Sequence, residues 1–401
     1  MINKKNIFTF FCLYIAQTIP MSFFSTVIPV IMRQENFSLT AIGALQLIKL
    51  PWILKFLWSP IIDRYNVTVN DYKRWIFSSE LIYALLIFSV AFMNFHINFY
   101  AILALIIISF IASATQDIAT DALAVLSFSK KDKSMVNSMQ SMGSFGGTMI
   151  GSGLLLLLFK QIGWNSLLPF LALFVIIALL PLFFNKGLVI SREREKGNVK
   201  RADMKDIGRF FTQRGIWKQV GFLLLYYSSM IGTLAMLRPY LVDLGYDIKE
   251  IGKMSGIFGT ATGLVASFAA GFIIRKIGRF HSRILFAILI SFTTFYFYLI
   301  STNPHPEVQL LYVGILLLWG SYGMATVAVY TIAMDCVREG REGTDFTIQT
   351  VITHFSGICI AMLSGKIADS TNYSGLFLFE FGLACLSLCY ILIVFRKEKS
   401  K

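Results

Sequence analysis

The sequence predicts an all-α membrane protein in which twelve transmembrane helices are arranged as two six-helix halves. Of its 401 residues, 56% are hydrophobic and only 14% are charged, and the mean hydropathy is +0.67. Soluble domains carry about 25% charged residues, so this composition excludes an ordinary soluble domain. Apolar stretches of about 20 residues, long enough to cross a bilayer, recur along the whole chain.

The predicted spans are 7–31, 39–61, 75–95, 100–127, 135–159, 164–185, 217–241, 248–274, 283–302, 308–337, 344–368 and 373–395. The first is too long for the apolar region of a signal peptide and lacks a small-residue cleavage site, so we expect it to be retained. The apolar pattern is interrupted in mid-chain. We therefore predict an N-terminal half at 1–186, a cytoplasmic linker at 187–216 and a C-terminal half at 217–401.

Part of the linker has helical periodicity. Its apolar positions are Met204, Ile207, Phe210 and Phe211, and they lie opposite Lys205, Asp206 and Arg209. This spacing favours a short amphipathic helix on the cytoplasmic leaflet. A solvated, disordered linker is the alternative.

Basic residues predict the orientation. The loops after even-numbered spans hold Arg64, Lys73 and Arg74; Lys130, Lys131 and Lys133; the stretch from Lys186 to Lys218; Arg275, Lys276, Arg279 and Arg283; and Arg338 with Arg341. The intervening loops carry few basic residues. By the positive-inside rule we expect both termini to be cytoplasmic.

The remaining composition narrows the function further. The net charge of +14 lies in short loops on one side of the membrane, so we expect the lipid bilayer and not nucleic acid as a partner. The five cysteines lie in apolar segments without metal-ligand spacing, so neither a metal nor another cofactor is expected. No nucleophile–base pattern indicates an enzyme. The sequence contains no Walker motif, GxxxxGK(S/T), that would indicate ATP-driven transport. Secondary transport is the remaining mode.

Two lysines and two aspartates inside apolar spans are the main candidates for a functional site. Lys49 and Lys55 belong to the second span, and Asp117 and Asp121 share one face of the fourth. A charge at the bilayer centre costs about 2.5–3.5 kcal/mol on insertion scales, so each needs a partner or a water-filled path. Depth along the spans matches Lys49 with Asp117 and Lys55 with Asp121. These groups either line a substrate or proton path or form ion pairs that hold the half together.

Other polar residues in the spans are weaker candidates. Gln17, Arg238 and His354 are candidate cavity-lining residues. For His354, a hydrogen-bonded packing role is the main alternative.

A loop motif occurs twice, and it resembles the loop signature of the major facilitator superfamily. The second copy contains Gly271, Arg275, Lys276, Gly278 and Arg279, with Arg275 in the acidic position. The first copy keeps Asp63 and Arg64 but has Ser59 in place of glycine. An acid at a helix end can dock on another helix N-terminus, so we predict a cytoplasmic gate. The alternative is that these basic residues only set the orientation of the protein in the membrane.

The stretch Lys55-Phe-Leu-Trp-Ser-Pro-Ile-Ile-Asp63-Arg64-Tyr65 resembles the AmpG-type muropeptide permeases, and Gln116, Asp117 and Asp121 resemble the same branch. That branch also includes siderophore permeases and acetyl-CoA transporters. The resemblance implies the major facilitator fold and proton-driven import of a bulky polar solute, an anhydromuropeptide or a siderophore, across the bacterial inner (cytoplasmic) membrane. We expect the protein to function as a monomer.

The chain also departs from the muropeptide pattern. The residues after Asp121 read Ala122-Leu123-Ala124-Val125-Leu126, where the muropeptide permeases have an aromatic residue, a lysine and an acid. This run is at least as similar to the siderophore permeases. An acetyl-CoA-type or other small-molecule carrier, and a membrane sensor that binds without transporting, remain open alternatives.

Overall fold

The computed structural model describes residues 3–34, 48–94, 97–190, 201–226 and 228–396. Across these ranges the regular structure is helical, and no strand occurs among them. The start of the second predicted span, the last residue of the third and the centre of the linker lie outside the described residues. The prediction of an all-α fold is confirmed.

The helices are named in chain order. In the first half they are α1 (Lys4–Gln34), α2 (Leu50–Leu54), α3 (Ser59–Tyr65), α4 (Val69–Val90), α5 (Phe99–Ser127), α6 (Lys133–Met149), α7 (Leu155–Ala178) and α8 (Leu180–Phe184). Later in the chain come α9 (Lys205–Phe210), α10 (Ile216–Leu225), α11 (Ser228–Asp243), α12 (Ile248–Ile251), α13 (Thr260–Ser301), α14 (Val308–Asp335) and α15 (Glu342–Val394).

Long helical stretches account for most of the predicted spans. Seven stretches within the described residues are long and apolar enough to cross a membrane. Three of these, Lys133–Phe184, Ile248–Ser301 and Glu342–Val394, exceed 50 residues and each covers two predicted spans. A positive φ breaks each one between its two spans, at Gly163 (74°), Gly278 (83°) and Asn372 (62°). The chain therefore turns where the sequence predicts a loop.

The second predicted span is not one regular helix. Its described part consists of α2, a 3₁₀ turn at Lys55–Leu57, and α3. Pro60 has no N–H to donate to the carbonyl of Phe56, and the Ser59 hydroxyl donates to that carbonyl instead at 3.0 Å. The proline thus ends one helix, while the serine satisfies the carbonyl that it leaves open.

The structure divides into two compact units. The first unit comprises Met1–Phe210 and Val337–Val351, and the second comprises Phe211–Cys336 and Ile352–Lys401. In the first unit α1 packs against α6 and α7, and α4 packs against α5 and α7. In the second unit α13 packs against α14, and α11 contacts both.

Close packing of α1 on α6 depends on small residues. A Cβ atom added at Gly143 would lie 2.8 Å from the Cβ of Tyr14, and one added at Gly147 would lie 2.7 Å from the Cβ of Thr18. Glycines at such positions let two helix backbones approach closely inside a membrane. This contact brings the polar residues of α1 and α6 next to the same face of α5.

The linker contains the predicted short helix, observed as α9. Phe210 is fully buried, in agreement with the apolar face. Asp206, which lies opposite the apolar positions in the sequence pattern, is nevertheless only 2% exposed. Arg341 donates to the Asp206 carboxylate at 2.9 Å, so this acid is buried against a partner that lies far away in sequence.

Candidate substrate and proton site

An ion pair lies inside the first unit. The Lys55 ammonium contacts Oδ2 of Asp117, and both residues are only 2% exposed. The other oxygen, Oδ1, accepts a hydrogen bond from Nε2 of Gln17 at 2.8 Å. A buried ion pair stabilises a fold only if its geometry and its additional hydrogen bonds offset the desolvation of both charges. Here α1, α5 and the 3₁₀ turn each supply one member of the arrangement.

Aromatic residues hold the lysine turn in place. The Lys55 ammonium lies 5.1 Å from the ring centre of Trp52, within cation–π range. The indole of Trp58 donates to the hydroxyl of Thr115 on α5 at 3.1 Å. Both contacts position Lys55 beside α5.

Asp121 lies one helical turn further along α5 and is fully buried. Its Oδ1 accepts hydrogen bonds from the Tyr14 hydroxyl at 2.8 Å and from Nε2 of Gln140 at 3.2 Å. Its Oδ2 has no hydrogen-bond partner among the described residues. One oxygen is therefore well bound, while the other is available to a proton, a water molecule or a ligand.

Several neutral polar atoms around the two acids also have no partner in the described part of the chain. They are Gln17 Oε1, both amide atoms of Gln116, Thr120 Oγ1 and Gln140 Oε1. Buried polar groups are normally hydrogen-bonded, so a cluster of unpartnered atoms indicates a place that water or a polar solute occupies. The cluster therefore has the chemistry of a binding site as well as that of a structural ion pair.

The pairing differs from the one that depth along the spans predicts. Lys55 contacts Asp117, whereas the depth comparison matched Lys55 with Asp121 and Lys49 with Asp117. That comparison assumed a regular rise of about 1.5 Å per residue, which fails where a 3₁₀ turn and a proline interrupt the second span. Lys49 is half-buried and precedes the first residue of α2.

Tyr14 and Gln140 are site residues that the sequence prediction missed. Gln140 carries a signal in the sequence, because it lies in the fifth predicted span and another glutamine, Gln349, lies in the eleventh, the corresponding span of the second half. Tyr14 gave none, because an aromatic residue in an apolar helix is indistinguishable from a packing residue until its hydroxyl is placed.

A second cluster surrounds Asp63, which follows the predicted second span. The Asp63 carboxylate accepts hydrogen bonds from the backbone N–H groups of Gly343 at 3.0 Å and Thr344 at 2.7 Å, and from the Thr344 hydroxyl at 2.6 Å. These groups form the first turn of α15, where a carboxylate is favoured by open N–H groups and by the helix dipole. A Cβ at Gly343 would lie 2.9 Å from the carboxylate, so glycine permits this approach.

Burial raises the pKa of Asp63 to about 7, although the hydrogen bonds from Thr344 and Gly343 oppose that rise. Arg64, the next residue, is exposed. The predicted gate residues of the first copy therefore separate into a docked acid and an exposed base.

Arginines of the segment before α15 extend this cluster. Arg338 donates to Asp345 at 2.6 Å and to the carbonyl of Asp206 at 2.8 Å. Arg341 binds the Asp206 carboxylate, as does Arg209 at 3.2 Å. Burial acts to raise the pKa of Asp206, but hydrogen bonds from the Asp203 N–H, Arg209 and Arg341 outweigh it and lower that pKa.

The second copy of the motif has different contacts. Gly271 is buried, Arg275 is half-buried and Lys276 is exposed. Gly278 adopts the positive φ that turns the chain, and Arg279 donates to Asp335 at 2.9 Å. In this copy an arginine binds an acid at the end of α14, whereas in the first copy an acid binds a helix N-terminus.

The last two candidates, Arg238 and His354, lie in the second unit, and both side chains are exposed there. The structure therefore assembles Gln17, Lys55, Asp117, Gln116 and Asp121 on the helices of one unit. It leaves the roles of Arg238 and His354 as predictions.

Solved structures resemble this fold. The human organic anion transporter MFSD10 matches with a TM-score of 0.73 at 14% identity, covering 97% of this chain and 99% of its own. A bacterial homologue of the iron transporter ferroportin, in its outward-facing state, matches with a TM-score of 0.72 at 15% identity, covering 98% and 99%. At these identities the likeness concerns the fold alone.

Relatives in sequence include AmpG-type proteins. The chain is 23% identical to the transporter AmpG 4 of Rickettsia felis, over 98% of this chain and 97% of that protein. It is 22% identical to the anhydromuropeptide permease of Escherichia coli K12, over 94% of this chain and 77% of that protein. The family model of the Major Facilitator Superfamily matches residues 7–362. This chain therefore belongs to the Major Facilitator Superfamily, and it is a membrane transporter, not an enzyme.

Proposed function

We propose that this transporter imports an anhydromuropeptide across the bacterial inner membrane, driven by protons. The observation that carries the proposal is the buried cluster of Lys55, Asp117 and Asp121. Ionisable groups inside a membrane domain are costly, and they mark substrate or proton pathways. The predicted spans place these three groups at membrane depth.

The choice of substrate rests on relatives and on chemistry. AmpG-type proteins align over nearly the whole chain, and one of them is named an anhydromuropeptide permease. An anhydromuropeptide carries carboxylates, amides and hydroxyl groups. The Lys55 ammonium can bind a carboxylate, and the open amide atoms of Gln17 and Gln116 can bind amide or hydroxyl groups. Siderophore import is the alternative that the experiment below distinguishes.

Coupling can arise from competition for Lys55. A proton on Asp117 cancels the charge that holds Lys55, so the ammonium becomes available to a carboxylate of the substrate. When the substrate leaves, Lys55 returns to Asp117 and the proton is released. Asp121, with one open oxygen a single turn away, relays or stores that proton. Substrate and proton then move together because each alone leaves a buried charge unpaired.

The Asp63 cluster would act as the gate on the cytoplasmic side. Docking of the carboxylate on the first turn of α15 ties two distant segments together through three hydrogen bonds. Transport requires that this contact forms in one state and breaks in another. Gly271, Arg275, Lys276, Gly278 and Arg279 would form the matching hinge of the second motif copy.

The topology is part of the proposal. The halves 1–186 and 217–401, joined by the linker 187–216, form one functional monomer with both termini in the cytoplasm. A green fluorescent protein fused after Lys401 fluoresces if that terminus is cytoplasmic, whereas an alkaline phosphatase fusion is active only if it is periplasmic. Phosphatase activity would contradict the orientation.

Uptake into vesicles tests the function. Right-side-out vesicles from cells without other muropeptide permeases are given a radiolabelled anhydromuropeptide under an imposed inward proton gradient. We expect accumulation that a protonophore abolishes, that Asp117→Asn and Asp121→Asn each remove, and that the exposed-acid control Glu307→Gln retains. Binding without accumulation would indicate a sensor. Accumulation of a ferric siderophore in place of the muropeptide would overturn the substrate assignment.

A further inference from the structure

One face of α5 carries a continuous row of buried polar side chains. The row consists of Ser113, Gln116, Asp117, Thr120 and Asp121, each no more than 2% exposed. Their spacing of three and four residues places them on one face over about 12 Å of helix. Of these five residues, only Ser113 lies outside the site described above.

Much of the row has unused hydrogen-bonding capacity. Both amide atoms of Gln116, the hydroxyl of Thr120 and Oδ2 of Asp121 have no partner among the described residues. Burying so many polar atoms without hydrogen-bond partners or water would be unfavourable in free energy, and a helix face packed without water is normally apolar. A row of this kind accommodates ordered water, and water between hydroxyl, amide and carboxyl groups conducts protons.

Another buried acid, Glu80, lies on α4, which packs against α5. Its side chain is fully buried, and neither carboxylate oxygen has a hydrogen-bond partner in the described residues. Tyr83 lies one turn further along the same face of α4, and its hydroxyl lies beside Ser113. Glu80 and Tyr83 therefore lie next to the row on α5.

The charges around Glu80 are sparse. Of the helices packed most extensively on α4, α5 carries Asp117, which Lys55 already binds, and Asp121, whose Oδ1 accepts hydrogen bonds from Tyr14 and Gln140. The other helix, α7, carries Lys160, which is exposed. Tyr83 is the titratable neighbour on α4 itself. A carboxylate buried without a cation or a hydrogen-bond donor is strongly disfavoured, so Glu80 is neutral in this conformation.

We propose that Glu80 is a second proton-binding group, and that the polar face of α5 forms a water-filled proton path between Glu80 and Asp121. The inference rests on the proposed proton-driven function and extends it to a specific route. Protons enter or leave the row at Glu80 and pass Tyr83 and Ser113. They reach the Lys55–Asp117 pair through Gln116.

A spectroscopic experiment tests the site without any substrate. Infrared difference spectra of the purified protein in lipid are recorded across pH for the wild type, Glu80→Gln, Asp121→Asn and Glu380→Gln. We expect a carbonyl band of a protonated carboxyl group that Glu80→Gln removes and the other two variants retain. A Glu80→Gln spectrum identical to that of the wild type would overturn the assignment.

A transport experiment tests the path. Glu80→Gln is expected to lose proton-driven accumulation while retaining exchange of labelled for unlabelled anhydromuropeptide, which needs no net proton movement. Thr120→Val, which keeps the side-chain shape and removes one hydroxyl, is expected to slow accumulation. Glu380→Gln, a buried carboxyl variant of the second unit, is expected to retain both activities.

The outcomes separate the two hypotheses. If wild-type uptake ignores the proton gradient, the proposed function fails whatever Glu80 does. If wild-type uptake follows the gradient and both Glu80→Gln and Thr120→Val match it, the function stands and the path is wrong. If Glu80→Gln does not reach the membrane, Glu80→Met, which also removes the carboxyl group, and Thr120→Val provide the same test.

Discussion

The interiors of the two units handle charge differently. In the first unit, Lys55 and Asp117 meet across elements that are distant in sequence, and unpartnered polar atoms surround them. In the second unit, Glu380 accepts a hydrogen bond from Ser364 at 2.6 Å, and Arg283 lies 4.9 Å and 4.0 Å from the ring centres of Phe222 and Phe395. Similar helical halves therefore carry different chemistry, and the first unit is the better candidate for coupling.

The two copies of the loop motif also differ in the charge of the residue at the acidic position. Asp63 is docked on helix N–H groups, whereas the equivalent position of the second copy holds Arg275. A carboxylate suits a helix N-terminus, and an arginine does not. Both copies thus contain the turn, but only the first binds an acid at a helix N-terminus. We call this contact of Asp63 with the N–H groups of Gly343 and Thr344 the latch.

The largest effect is expected from removing one partner of the buried ion pair. Asp117→Ala leaves Lys55 buried without its anion, which costs about 3–5 kcal/mol in comparable cases. Glu380→Ala removes a single hydrogen bond in the second unit and costs about 1–3 kcal/mol. Unfolding by denaturant in detergent measures both.

The double variant Lys55→Ala/Asp117→Ala sharpens that comparison. It removes both charges and is expected to be more stable than Asp117→Ala alone, because no unpaired charge remains buried. Equal stability of the two variants would mean that leaving Lys55 buried without its anion costs no free energy.

A smaller effect is expected at the latch. Asp63→Ala removes a cap from α15, and such caps contribute about 0.5–2 kcal/mol. Faster hydrogen exchange at the amides of Gly343 and Thr344 would report the loss. Arg275→Ala is the matched variant in the second copy and should leave both amides unchanged. Unchanged exchange in Asp63→Ala would show that the contact does not hold the helix end.

The latch is also expected to depend on pH. Because the pKa of Asp63 rises from 3.8 to about 7 on docking, the docked state takes up a proton. The stabilisation linked to this proton is fully present below pH 3.8 and is lost as the pH rises through about 7. Exchange at Thr344, corrected for its intrinsic rate, should therefore increase toward neutral pH, and Asp63→Asn should remove that dependence.

The smallest effect is expected in the linker. Asp206 binds Arg338 and Arg341, and its lowered pKa keeps it ionised at neutral pH. Its contribution is present above its ordinary pKa and is lost only as the pH falls through the lowered value. Asp206→Asn should loosen the linker at neutral pH, seen as faster proteolysis at Arg201. Lys205→Gln, an exposed neighbour, should not.

Much of the fold follows from hydropathy alone. Runs of apolar residues predict long helices, and turn residues such as Gly163 and Gly278 divide the longest of them. The site is harder to predict because its register depends on local breaks. Pro60 and the 3₁₀ turn at Lys55 move the lysine relative to α5, so a regular helix predicts the wrong partner.

Hydrophobic periodicity also cannot predict buried polar contacts between segments that are distant in sequence. Asp206 belongs to the polar face of its helix by sequence, but Arg341, which follows 135 positions later, makes burial favourable. Glu80 was not predicted as a site residue, because one acid in an apolar helix does not reveal whether it reaches lipid, water or another helix. Its position beside the row on α5 supplies that information.

Proton movement measured in matched variants tests the central claim, that coupling resides in the first unit. Proteoliposomes containing a pH-sensitive dye are given anhydromuropeptide without any imposed gradient, and internal acidification is recorded. We predict that the wild type and Glu380→Gln acidify the interior and that Asp121→Asn does not. Acidification by Asp121→Asn at the wild-type rate, or its loss in Glu380→Gln alone, would contradict the account.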